Sequence, residues 1–232
     1  MLVMGRSCPI YGTAVYLDCL DCDSKLCKSI KRKYSQVCIG IDQSYNNTGI
    51  SIAADGELIK VKSVWLDKCG SNSERREKLR KVLDKVLKSC VDNSENVVCI
   101  LERIRLQSRG FINIDYIKSI GALNSVIVDV CSLYCVQVYS VDTRCWKSQV
   151  IGTSKPKSNR YGVPDEKWPT VEWLLKQGFE SDILVDMSDT RKSKGTFMKN
   201  NKKYMYNNDA ADSAGIAMFW FVGEHEKLKE EK

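Results

Sequence analysis

The apolar run Val37-Cys38-Ile39-Gly40-Ile41 stops abruptly on Asp42. A stretch this short and this apolar predicts a buried strand. Two further segments follow, Thr48 to Ala54 and Glu57 to Leu66, joined at Asp55-Gly56. Asp-Gly between alternating apolar runs predicts a tight antiparallel hairpin. Leu79, Val82, Leu83, Val86 and Leu87 then recur at helical spacing, with Arg75, Arg76, Lys78 and Lys85 outside that stripe. A helix capped by Ser71 or Ser73 and running to about Cys90 accounts for both sets. A second continuous run, Val97-Val98-Cys99-Ile100-Leu101, again ends on an acid, Glu102. A long helix is expected over about 112–133, a fifth strand over 136–141, and a short helix over 168–177 with Pro169 in its first turn. The last helix is expected over 208–222, and the charged tail 224–232 is expected to fray.

Three antiparallel strands, a helix, a strand, a helix, a strand and later helices imply an α/β fold: a five-stranded mixed sheet flanked by helices, spanning residues 34–232. Residues 1–33 read as a separate unit. Cys8, Cys19, Cys22 and Cys27 are spaced there as C-x10-C-x2-C-x4-C. Thiolates so spaced can close a tetrahedron around Zn²⁺, and so short a segment has too little apolar mass to fold alone. An iron–sulfur cluster, four unligated thiols, or a three-cysteine site completed by Asp or water are the other readings. Cys38 and Cys99 lie inside expected strands and read as small core hydrophobes.

The acids are the chemically informative positions. A carboxylate at the exit of a buried strand is pulled toward low dielectric, which is costly unless a cation is expected beside it. Asp42 and Glu102 are two such exits. Asp209 and Asp212, three apart in Asn208-Asp209-Ala210-Ala211-Asp212-Ser213-Ala214, share one face of a helix near its positive end. Four carboxylates of this kind can clamp two divalent ions around a phosphodiester. Oxygen-only ligands favour Mg²⁺ or Mn²⁺.

Charge points to the partner. The net charge is +7, and Arg191, Lys192, Lys194, Lys199, Lys202 and Lys203 crowd one segment without an acid. Basic segments bordering an acidic site suit a polyanion that approaches a metal centre. No apolar stretch reads as long enough to span a bilayer, and the N-terminus lacks a signal-peptide pattern. The expectation is an intracellular, cytoplasmic protein with no membrane partner and no small-molecule substrate. The lone histidine, His225, lies 13 positions past Asp212 and reads as surface. Tyr204 and Tyr206 read either as stacking platforms for unpaired bases or as core.

This order of strands and acids resembles the RNase H-like superfamily, and within it the RuvC group of Holliday-junction resolvases, particularly diverged bacteriophage members. The resemblance covers about residues 36–222. It rests on Ile39-Gly40-Ile41-Asp42-Gln43-Ser44 followed by Thr48-Gly49, on Leu101-Glu102, on Val141-Asp142-Thr143-Arg144-Cys145-Trp146-Lys147, and on the Asp209/Asp212 motif. It implies that Asp42, Glu102, Asp209 and Asp212 are catalytic metal ligands for two Mg²⁺ per site, and that Lys147 lies near the DNA backbone. The group often carries an aromatic wedge shortly after the glutamate. Here Arg103 and Arg105 come first, then Arg109 and Phe111. These four, with Lys118 and the six basic residues from Arg191 to Lys203, are the expected DNA contacts. The stretch 152–207 is longer and more basic than the family minimum.

The reading is therefore a metal-dependent endonuclease that resolves branched DNA as a homodimer, leaving a 5′-phosphate. The long helix over 112–133 is expected at the dimer interface, since two symmetric cuts need two sites. The alternatives are a less selective nuclease of the same fold and a non-catalytic zinc-containing DNA-binding module.

Overall fold

The computed structural model describes residues 34–67, 69–104, 114–189 and 195–231. The cysteine unit with Cys8, Cys19, Cys22 and Cys27 lies outside the described residues, as do Arg105, Arg109, Phe111, Arg191, Lys192 and Lys194. Strands β1 (Tyr34–Asp42), β2 (Asn47–Ala54) and β3 (Glu57–Trp65) form an antiparallel meander. Its tight turn is at Asp55-Gly56, where both residues have positive φ. Helix α1 (Asn72–Asn93) begins at Ser71 with a reciprocal capping box to Glu74 and outlasts its expected end by one turn. Strand β4 (Ser94–Glu102) then pairs parallel to β1. Helix α2 (Ile114–Leu133) returns the chain to β5 (Gln137–Val141), parallel to β4.

Two differences from the expected sheet stand out. The main sheet has six strands rather than five, in the order β3-β2-β1-β4-β5 with a sixth on the outer edge of β5. The sixth, β9 (Lys229–Glu230), is part of the tail that was expected to fray. It pairs antiparallel with Tyr139 and Ser140 of β5. An open strand edge presents unpaired N–H and C=O groups, and the tail supplies partners for them. The segment 152–207 also carries structure that its weak alternation hides. Helices α4 (Trp168–Lys176) and α5 (Glu180–Ile183) lead into a separate antiparallel sheet of β6 (Leu184–Asp186), β7 (Thr196–Lys199) and β8 (Lys202–Tyr206), with β8 central. Tyr206 is buried there among Tyr161, Phe197 and Trp168, and Tyr204 faces Phe197, so packing is the reading of these tyrosines that the structure favours.

The core has two faces. Helices α1 and α2 bury Leu79, Leu83, Leu87, Leu123 and Ile127 against Ile39, Ile41 and Leu101. Helix α2 is, contrary to the sequence expectation, long and apolar enough to cross a membrane by length and composition. Its positions Ile120, Leu123, Val126, Ile127, Val130 and Cys131 are buried in the fold, while Ile114, Tyr116 and Leu133 are exposed. The opposite face is covered by the final helix, α6 (Asn208–Val222), which packs across β1, β2 and β3. The close approach needs glycine. A Cβ at Gly40 would strike the Ser213 carbonyl, and one at Gly49 the Asp209 carbonyl. Cys38 and Cys99 are fully buried.

Candidate active site

Register places the first two acids side by side. Ile41 pairs with Leu101 in the parallel β1–β4 ladder, so Asp42 and Glu102 emerge from neighbouring strands at the same carboxyl end. Adjacent strands lie about 4.8 Å apart, and equivalent positions in them face the same way. Helix α6 brings the other two acids. Asn207 caps it by accepting from the Ala210 amide at 3.1 Å. Asn47 of β2 donates to both Asn207 Oδ1, at 3.0 Å, and Asp209 Oδ2, at 2.9 Å. The Ser51 and Ser213 hydroxyls meet at 2.7 Å beneath this point. The hairpin thereby fixes where the helix, and with it Asp209 and Asp212, meets the sheet.

Two lysines stand among these acids. Lys167, just before α4, donates to Asp212 Oδ2 in close contact. The Lys147 ammonium lies 3.7 Å from Asp212 Oδ1 and donates to the Glu166 carbonyl at 3.1 Å. Lys147 is 5 % exposed, so it sits within the acidic site rather than on an open DNA-facing surface. Lys167 did not emerge from the sequence, although it carries a local anomaly. It occupies a helix N-cap, where Ser, Thr, Asp or Asn is favoured and a cation meets the positive end of the dipole. A misplaced charge of that kind is a signal that its partner lies elsewhere.

Electrostatics follow from this crowding. Burial first, then the charges of Glu102 and Asp212, hold the Asp42 carboxyl well above the usual range, against the pull of Lys167. Asp209 is pushed up to about 6, chiefly by burial, with Lys167 and the Asn47 hydrogen bond opposing. Burial pulls the Lys167 ammonium down, but Asp212 and Asp42 outweigh it and hold its pKa above the ordinary lysine value. Tyr116, half exposed on α2, is raised by partial burial and by Asp42, Asp209 and Glu102, which places it at the rim.

Supporting contacts orient the acids. The Thr143 hydroxyl donates to Glu102 Oε1, and Gln43 Nε2 donates to the Glu102 carbonyl oxygen. Thr143 opens the short helix α3 (Thr143–Trp146), whose N-cap Asp142 accepts from the Arg144 amide at 3.0 Å. Arg103 turns inward, with Nη2 donating to the Ser140 carbonyl at 3.3 Å. Lys199 pairs with Glu180 at 2.8 Å, and Lys202 is exposed at the β7–β8 turn, across from Lys199. Lys203 pairs across the same hairpin with Met198, while Lys118 is exposed on α2. His225 stacks on Trp220 with ring centroids 4.3 Å apart, away from the acids.

The donor set suits a hard cation. Gln43 Oε1, Asn47 Oδ1, Asn208 Oδ1 and Asp212 Oδ1 are all buried oxygens to which no protein group donates a hydrogen bond. Such acceptor excess is costly unless positive charge stands nearby. At Asp212, Lys167 and Lys147 supply that charge. Among the described residues no three His, Cys, Asp or Glu side chains close round one point as metal ligands do.

No family model matches the chain, and no curated protein matches it. Solved structures do. The Thermus thermophilus RuvC in complex with a Holliday junction substrate aligns at a TM-score of 0.50 and 12% identity, covering 84% of this chain and 99% of that one. A second Thermus thermophilus RuvC structure aligns at 0.50 and 14% identity over the same shares. The yeast mitochondrial Holliday junction resolvase Ydc2 gives 0.44 and 14% identity over 83% of this chain and 80% of that one. At these identities the likeness speaks for architecture, and the chain has the RuvC-type, RNase H-like fold.

Proposed function

We propose that this chain is a metal-dependent endonuclease that cuts four-way DNA junctions as a homodimer. The observation that carries the reading is that Asp42, Glu102, Asp209 and Asp212, from three separate elements, all lie within electrostatic reach of the Lys167 ammonium, with Asp212 in contact with it. The fold is that of a RuvC bound to a Holliday junction. The residues that would hold Mg²⁺ are these four acids. Bound there, magnesium supplies Lewis-acid activation of water and neutralises charge on the leaving oxygen.

The chain's own groups prepare the site. Asn47 and Thr143 fix the oxygens of Asp209 and Glu102. Lys147 and Lys167 offset half the charge of four carboxylates, which lowers the barrier to an approaching phosphodiester. Water attacks phosphorus, the bond to the 3′-oxygen breaks, and the proton ends on that oxygen, leaving a 5′-phosphate and a 3′-hydroxyl.

The dimer is assigned to α2, which exposes Ile114, Tyr116 and Leu133. Zinc is assigned to Cys8, Cys19, Cys22 and Cys27 on thiolate chemistry. A zinc content of one per chain checks that assignment.

Substrate choice tests the reading. Under limiting enzyme with Mg²⁺, a mobile four-way junction is cut in two symmetric strands, much faster than a flap or linear duplex. Equal cutting of all three contradicts junction specificity, and no cutting of any contradicts the nuclease.

A further inference from the structure

A cavity of about 140 Å³ opens between the loop after β1, the first turn of α1 and the exposed face of α2. Its walls include Tyr45, Asn72, Arg75, Arg76, Lys118 and Ser119. Three cations and no acid line it. The acid in the first turn of α1, Glu74, is occupied by the capping box, accepting from the Gly70 amide at 2.6 Å and the Ser71 amide at 3.1 Å. Arg75 is fixed rather than mobile. Its guanidinium lies 4.2 Å over the Tyr45 ring, donates to the Tyr45 carbonyl at 2.9 Å, and keeps a buried Nε without a hydrogen-bond partner. The Tyr45 hydroxyl is tied to Asn72 Oδ1 at 2.6 Å, so the wall holds its shape.

The cavity adjoins the acids. Tyr45 is three residues from Asp42, at most about 10 Å between Cα atoms. Three cations with no acid beside them favour an anion, and the space admits one tetrahedral oxyanion with its ester oxygens. Resting on the nuclease reading above, we infer that the cavity is a phosphate subsite holding a backbone phosphate of the cut strand, within about three nucleotides of the scissile one at 3.4 Å per nucleotide. Arg75 is the fixed wall, and Arg76 and Lys118 are the two exposed cations that close on the anion. The subsite sets the register of the strand, and so which phosphate reaches the acids.

The test is a binding scan on a four-way junction in EDTA. Backbone phosphates around the cut are replaced one at a time by neutral methylphosphonates. Expected for the unaltered protein is a several-fold loss of affinity at one or two adjacent positions within about three nucleotides of the cut. In the Arg76→Ala/Lys118→Ala double variant those same replacements have no further effect, and the slope of log affinity against log salt is shallower by about one. Uniform indifference of the unaltered protein to every replacement overturns the proposal, as does equal sensitivity in the double variant. A silent scan with inorganic phosphate or a nucleoside 5′-monophosphate binding the unaltered protein, and not the variant, assigns the cavity to a free phosphate and overturns the DNA subsite. Failure of the unmodified junction to be cut in Mg²⁺ counts against the nuclease reading alone, since the scan reads binding without metal.

Discussion

Lys167 touches Asp212 across 45 residues of sequence, and the Asp212 side chain is only 1% exposed. A buried carboxylate that loses its partner retains its desolvation cost, so one-sided removal of such a contact is expensive. Lys167→Met is expected to cost about 3 kcal/mol in urea unfolding with EDTA present, the low end of that range because Lys147 still stands 3.7 Å from Asp212. Millimolar Mg²⁺ is expected to recover much of the loss, since a divalent ion supplies the missing charge. An unchanged unfolding midpoint for Lys167→Met would show that the contact contributes nothing.

The Asp209 contribution to stability should fall, not rise, as the metal-free protein is taken from pH 4 to pH 6. The sign follows from Asp209, whose folded pKa of about 6 lies above its ordinary value of 3.8. Between those values the folded state binds more protons than the unfolded one, so this group's contribution is full below the unfolded pKa and disappears through the folded one. The difference corresponds to about 3 kcal/mol at most. Asp209→Asn removes the titration, so its unfolding free energy should lose this downward slope relative to the unaltered protein. Parallel curves for the two proteins would refute the assignment.

Much of this site is legible in the sequence, for a physical reason. Asp42 and Glu102 each end a continuous apolar run, and a strand that buries both faces must stop where its charge begins. Asp209 and Asp212 are readable because helical spacing puts residues three apart on one face. The two lysines are different. The resemblance places Lys147 near DNA, and only the packing of residues 147–151 against α6 shows how deeply it is enclosed. Lys167 precedes Trp168-Pro169, and nothing local names Asp212 as its partner. The small sheet has no signal in the sequence because β6, β7 and β8 are three to five residues long and owe their order to Tyr161, Trp168 and Phe197. β9 is invisible in the sequence because a strand of two charged residues has no apolar pattern, and only the edge of β5 gives it a partner.

Thr143 tests whether Glu102 needs orienting. Thr143→Val keeps the shape and removes the hydroxyl that donates to Glu102 Oε1. Junction cutting is expected to slow about tenfold, near 1.4 kcal/mol of transition-state stabilisation, with junction affinity unchanged. Thr143→Ser should restore the rate. Full activity in Thr143→Val would make the contact incidental.

Gly49 tests the seating of α6, the helix that carries Asp209 and Asp212. A Cβ there would collide with the Asp209 carbonyl, part of the α6 backbone and unable to swing aside as a side chain does. Gly49→Ala is expected to destabilise by about 1–3 kcal/mol and to displace the first turn of α6, with cutting lost while the protein remains folded. Circular dichroism and the cleavage assay read the two effects separately. A variant as stable and as active as the unaltered protein would mean that helix and hairpin are not held this closely.

The most direct measurement is the rate at which single variants Asp42→Asn, Glu102→Gln, Asp209→Asn and Asp212→Asn cut a four-way junction in Mg²⁺, with binding measured alongside. The expected result is loss of cutting by at least about a thousandfold in all four, with the junction still bound. Wild-type cutting by any one of them, above all by Asp212→Asn, would contradict a single four-carboxylate site.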